Sequence, residues 1–181
     1  MNWAFYTSVL ATLVMMAGFG HIIIEEHDWR QPRTLSELAA AQDHLLRRFR
    51  YVLWVGLTLL SLVMYLHIIP RSTLSGLLFF AWTLAAVGCL LLSVLPAKGR
   101  TRGSHEASAK LMASGLGGVA FLFLADLRGG YFVAGLVVAV IMTLLAWATV
   151  LDPRRFLVYE WPFLHLSNIA IIIMVLFLGS G

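Results

Sequence analysis

The chain has 181 residues, 60% of them hydrophobic and only 12% charged, with a net charge of +4 and a mean hydropathy of +0.87. A soluble domain is about a quarter charged, and surface-to-volume scaling demands a polar exterior that this composition cannot supply, so lipid must solvate most of it. The single cysteine, Cys89, excludes an intramolecular disulfide and a cysteine-based zinc site. The basic residues lie between apolar runs, where they act as topology signals rather than as a nucleic-acid patch.

A helical span needs about 20 apolar residues. Six runs meet this, at about residues 3–24, 51–69, 74–95, 107–127, 131–151 and 163–178. The first lacks a basic n-region and a cleavage site, and reads as a permanent span rather than a signal. Pro70, Pro96 and the Asp152-Pro153 pair close the second, third and fifth. None of the runs alternates as barrel strands would. The expected architecture is an all-α bundle of six transmembrane helices forming a single integral membrane domain.

Between spans one and two the charge rises abruptly, with Glu25, Glu26, His27, Asp28 and Arg30 close together. Thr34 to Glu37 then reads as a capping box. Apolar residues recur on one helical face from Leu35 through Leu38, Leu45 and Phe49 to Leu53, with Arg47, Arg48 and Arg50 on much of the rest. This predicts an amphipathic helix that lies on the inner leaflet or bends directly into span two. Its arginines would attract anionic lipid headgroups at about 1 kcal/mol each, or form a docking face for a partner membrane subunit.

Eleven basic residues fall in or beside the segments joining spans one to two, three to four and five to six; the opposite face has only Arg71 and Arg128. The positive-inside rule therefore predicts an inner-membrane, multi-pass protein with those three segments cytoplasmic and both termini outside. In span four, Ala109, Ala113 and Gly117 recur every four residues, a pattern that lets helices approach closely within a bundle. Asp126 and Arg128 read as an interfacial charge pair, and Ser104 as the N-cap of span four.

Chemistry is expected at the end where the histidines gather. His21, His27, His44, His105 and His165 fall near the predicted inner face, and only His67 near the outer. His21, Glu25 and Asp28 share one helical face if span one continues. Imidazole and carboxylate ligate zinc, iron or manganese, which makes His21, Glu25, His105 and His165 a candidate transition-metal set. A haem would instead use His21 and His165 as axial ligands at matching depth, with Gly18 and Gly20 leaving room for the ring. At each of these positions an interfacial side chain bonded to backbone or headgroups is the competing account.

The segment TLSELAA, the Leu95-Pro96 pair and the polar turn leading to His105 together resemble the six-span membrane proteins of domain-of-unknown-function family 998. The corresponding positions are Ser36, Leu38, Pro96 and His105; the turn is basic here (Lys98, Arg100, Arg102) where the family commonly has an acidic residue. The resemblance implies a fold and no activity. The leading expectation is an integral membrane binding or accessory protein that recognises a lipid, a hydrophobic small molecule or a partner subunit at the cytoplasmic side. The alternatives are a membrane oxidoreductase or metal-dependent enzyme, and a substrate-binding subunit of a small-molecule transporter. Very short outer loops count against the last.

Overall fold

The computed structural model describes residues 3–26, 34–40, 42–95, 101–151 and 156–180. They form α1 (Trp3–Glu26), α2 (Leu35–Ala39), α3 (Asp43–Val63), α4 (Ser75–Val94), α5 (Arg102–Asp126), α6 (Gly129–Leu151) and α7 (Phe156–Gly179). All but α2 are long and apolar enough to cross a membrane, so the chain is a six-helix, multi-pass bundle. Side chains such as Leu13, Leu66, Phe80, Leu144 and Trp147 remain exposed on the outward faces, as they must where lipid is the solvent.

The second span runs further than its apolar stretch. It begins at Asp43 and continues past Val63 as a π turn (Met64–Ile68) and a 3₁₀ turn (Ile69–Arg71). Pro70 has no amide to donate to the carbonyl four residues back, and the change of helix type absorbs that loss. His67 sits in the π turn, edge-on to Trp3 at 6.0 Å, with Arg71 bonded to both its Nδ1 (3.0 Å) and its carbonyl (2.8 Å).

The segment before span two is not one surface-lying helix. It is the five-residue α2, a break, and then α3 entering the bundle directly. Leu35, Leu38, Ala39, Leu45, Phe49 and Leu53 are all buried. The apolar face that could have rested on lipid is spent on packing against protein.

The helices pair unequally. Helices α4 and α5 are in backbone contact, because a Cβ on Gly115 would lie 2.4 Å from the Ala85 amide nitrogen and one on Gly88 would lie 2.5 Å from that of Met112. Helix α1 meets α3 through Gly18, where a Cβ would come within 2.2 Å of Val52 Cγ2. Gly117, which belongs to the regular small-residue stripe, has open space instead. The stripe read as a packing surface therefore faces a gap, while the tight contact falls one register away, at Gly115.

At the end of the bundle near the N-terminus, Asp126 joins α5 to the start of α4. It accepts from Ser72 Oγ (2.5 Å), the Thr73 amide (3.0 Å) and the Thr73 hydroxyl. Arg128 donates to the carbonyls of Ala125 and Leu127, so its charge acts on Asp126 from nearby without a direct ion pair among the described residues. Gly129, with φ at +56°, makes the turn into α6 that other residues reach only with strain. Gly115→Ala is expected to destabilise the bundle by about 1–3 kcal/mol through overpacking, while Gly117→Ala is neutral or slightly stabilising; thermal unfolding in detergent compares the two.

Candidate functional site: a polar junction beside a lateral groove

The other end of the bundle is organised by α2. A five-residue helix is too short to hold itself together, and its first amides need partners from outside. The capping box supplies two of the bonds. Thr34 Oγ1 accepts from the Glu37 amide (3.1 Å), and Glu37 Oε2 accepts from the Thr34 amide (2.9 Å). A third comes from across the bundle, where Glu160 Oε2 on α7 accepts the Leu35 amide at 2.9 Å. A carboxylate at the positive end of a helix is also favoured electrostatically.

Ser36, one residue on, reaches His105 on α5 (Oγ to Nε2, 2.7 Å), while His105 Nδ1 lies 2.6 Å from the Leu95 carbonyl. A carbonyl can only accept, so Nδ1 carries the proton. In the neutral ring Nε2 is then the acceptor, and the Ser36 hydroxyl donates to it. Thr34 Oγ1, 2.9 Å from Ser36 Oγ, in turn donates to Ser36. The chain Thr34, Ser36, His105, Leu95 thus has one direction and no competing protons. It also satisfies one of the orphan carbonyls at the end of α4, and Arg50 Nε satisfies another at Ser93 (2.6 Å).

Ser36 and His105 form a hydroxyl–imidazole pair, yet they are only 6% and 5% exposed. Neither lines any of the described cavities. The pair acts as a staple between α2, α4 and α5. Ser104 is not the N-cap of α5: the helix starts earlier, with Thr101 at the cap, and Ser104 lies inside the first turns, accepting from Ser108 through its carbonyl. Nearby, Arg102 reaches Glu106 (3.1 Å) and Glu37 (3.6 Å).

The other candidate residues are distributed differently from expectation. Glu25 binds His44 (2.7 Å) and Arg48 (2.8 Å), and Arg48 also donates to His21 Nδ1 (2.7 Å). Because a guanidinium only donates, His21 Nδ1 is an acceptor, and its 3.1 Å approach to Glu25 is bridged by Arg48 rather than being a direct bond. The His21 side chain is 60% exposed, and such surface ion pairs contribute about 0–1 kcal/mol. His165 is buried at 8% exposure, edge-on to Trp161 at 4.7 Å. Neither of its ring nitrogens, nor Trp161 Nε1, has a hydrogen-bond partner among the described residues.

The proposed ligands therefore do not assemble. His105 has both nitrogens in use, His21 is held by Arg48, and His165 stands against Trp161. Among the described residues no three His, Cys, Asp or Glu side chains converge on a point that could hold a metal. Of the two glycines expected to leave room for a haem, Gly18 faces Val52, whereas Gly20 has open space beside it. Asp28, His27 and Pro96 lie outside the described residues. Of the three arginines, Arg48 and Arg50 are bound internally; Arg47 is exposed.

The feature that sequence reasoning missed is a groove between α5, α6 and α7. Its larger compartment, about 240 Å³, is walled by Ala113, Ser114, Gly117, Phe121, Met142 and Phe163 among others. A smaller one, about 80 Å³, shares Ala113, Ala146 and Phe163 with it and includes Glu160 and Thr149. The signal was present in the stripe of Ala109, Ala113 and Gly117, but such a stripe reads equally as close packing. No family model, curated protein or solved structure matches the chain.

Ser36→Ala is expected to cost about 1–3 kcal/mol by leaving His105 Nε2 buried without a donor. Ser104→Ala should change stability by less than about 0.5 kcal/mol. Equilibrium unfolding in detergent distinguishes the two sites.

Proposed function

We propose that this protein is a membrane-embedded binding module that takes one aliphatic chain of a lipid or similar hydrophobic molecule into the groove between α5, α6 and α7. One observation carries the reading: the groove is mostly apolar, with Ser114, Thr143 and Thr149 among its walls, and has an acidic side chain, Glu160, at one end only. The two compartments together lie near the lower bound of small-molecule pockets, roughly 300–1,000 Å³, which suits a single chain. From Ala109 to Phe121 the α5 wall runs roughly 18 Å, a little over half of a hydrocarbon core of about 30 Å. The groove thus lies along the bilayer normal, within about one leaflet, as a lipid chain does.

The remaining expectations fit around this reading. The orientation in which the α2 end faces the cytoplasm, with both termini outside an inner membrane, is supported by the excess of basic residues there. Arg47, exposed and outside every ion pair among the described residues, is the residue proposed to meet anionic headgroups. Membership of family 998 is proposed on the TLSELAA segment, the Leu95-Pro96 pair and His105 alone. A haem or metal enzyme is not the reading favoured: His105 and His21 are bound to other residues, and His165, whose nitrogens have no partner among the described residues, is not joined there by two further His, Cys, Asp or Glu side chains.

Two measurements test this. Lipid extraction from protein purified in a mild detergent should recover about one retained lipid per chain, and Gly117→Leu, which fills open space, should lower that by at least about tenfold without lowering the melting temperature. Wild-type protein free of lipid would overturn the reading. Reporter fusions at each terminus should both report the outside; a cytoplasmic C-terminus would reverse the leaflet.

A further inference from the structure

Glu160 is bonded on one side only. Its Oε2 holds the Leu35 amide, and it stands in no ion pair among the described residues. It contributes to the wall of the smaller compartment beside Ala109, Phe163 and Leu164. A carboxylate has two oxygens and about four acceptor positions, and one amide leaves most of them unmet. Against apolar walls such a group is costly unless a cation or further donors reach it.

Lys110, although not among the residues that line the groove, is a second charged residue close to it in the α5 sequence. It lies on α5 one turn before Ala113 and Ser114 and two turns before Gly117, so it shares the face that walls the groove. It is exposed and outside every ion pair among the described residues. The groove's polar end therefore has a carboxyl group on its wall, at Glu160, and an ammonium on the neighbouring exposed surface of α5, at Lys110. An apolar channel continues from there along the bilayer normal.

We propose that the occupant is a bilayer phospholipid whose headgroup ends in a primary ammonium. One acyl chain would lie along Gly117 and Ala139, the phosphate at Lys110 and the ammonium at Glu160. This rests on the groove reading and specifies its ligand. A primary ammonium offers three N–H donors to the unmet carboxylate positions. A trimethylammonium head offers charge without a donor, and a glycerol head offers no cation at all. A free alkylamine would satisfy Glu160 and leave Lys110 without an anion.

The test uses the full-length protein reconstituted in nanodiscs. The nanodiscs hold equal parts of phosphatidylethanolamine, phosphatidylcholine and phosphatidylglycerol with matched chains. Retained lipid is then identified by native mass spectrometry after release into detergent. Wild type should retain the ethanolamine lipid over the choline lipid by at least about tenfold. Glu160→Gln keeps an acceptor for the Leu35 amide; it should erase that preference while chain uptake persists. Lys110→Gln, on the exposed surface, should lower retention of all three phospholipids and leave the ethanolamine-to-choline ratio in place.

The outcomes separate the two readings. Lipid retained without head preference, or a preference that survives in folded Glu160→Gln, overturns the ammonium assignment and leaves the groove reading standing. No lipid retained with any head, or a second protein copurifying in its place, overturns both. The wild-type head preference decides the matter even where Glu160→Gln fails to fold.

Discussion

The bundle depends on how the first amides of α2 find partners. This helix has five residues, fewer than the cost of helix nucleation allows on its own. It survives because its donors are met from two directions. Thr34 and Glu37 close the capping box locally, and Glu160, 125 positions away in sequence, takes the Leu35 amide. Its apolar residues Leu35, Leu38 and Ala39 are buried at the same time. The outcome is a plug that touches α1, α3 and α7 directly and α5 through Ser36 and His105. Polar bonds and apolar burial act on the same residues, so neither can be lost alone.

The opposite end follows the same physical rule with different residues. Asp126 gathers Ser72 and Thr73, and so ties the end of α5 to the start of α4. With His105 on Leu95 and Arg50 on Ser93 at the α2 end, α4 and α5 are fastened at both ends. Gly88 and Gly115 bring their backbones together between. Among the described residues no side-chain hydrogen bond ties α6 to α5; beyond the short turn at Gly129, Gly135 packs against the side chains of Leu124 and Leu127. A bundle stiff on one side and loosely joined on the other leaves its void on the loose side, which is where the groove lies.

What was legible in the sequence was local. The six spans and the Thr34–Glu37 box each depend on residues a few positions apart, and each has a counterpart in the fold; Pro70 instead sits inside a turn that carries the span on to Arg71, and Pro96 and Pro153 lie outside the described residues. The contacts of Ser36 with His105 and of Leu35 with Glu160 cross 69 and 125 positions, and no periodicity announces them. Of the histidines grouped together by depth, His21, His44, His105 and His165 are described and His27 is not, and grouping by depth does not say where a ring nitrogen goes. His105 and His21 were available as ligands only until a carbonyl and a guanidinium took them. Gly18 and Gly117 make the same point in reverse: each reads as a small residue, yet one is filled by Val52 and the other stands open. A missing side chain marks either close contact or empty space, and only the neighbouring helix decides which.

Glu160 links the two halves of this account. Its Oε2 belongs to the fold, through the Leu35 amide, and its position belongs to the groove wall. A glutamine there could still accept the amide bond, so the fold alone does not require a charge. Holding a carboxylate beside Phe163 and Leu164 costs desolvation that a neutral amide would avoid in large part. No arginine or lysine among the described residues pairs with it to offset that cost. An ionisable group at this position is therefore more than the α2 cap needs, and the groove side is where a cation could meet it. The cap of α2 and the wall of the groove thus share that one side chain.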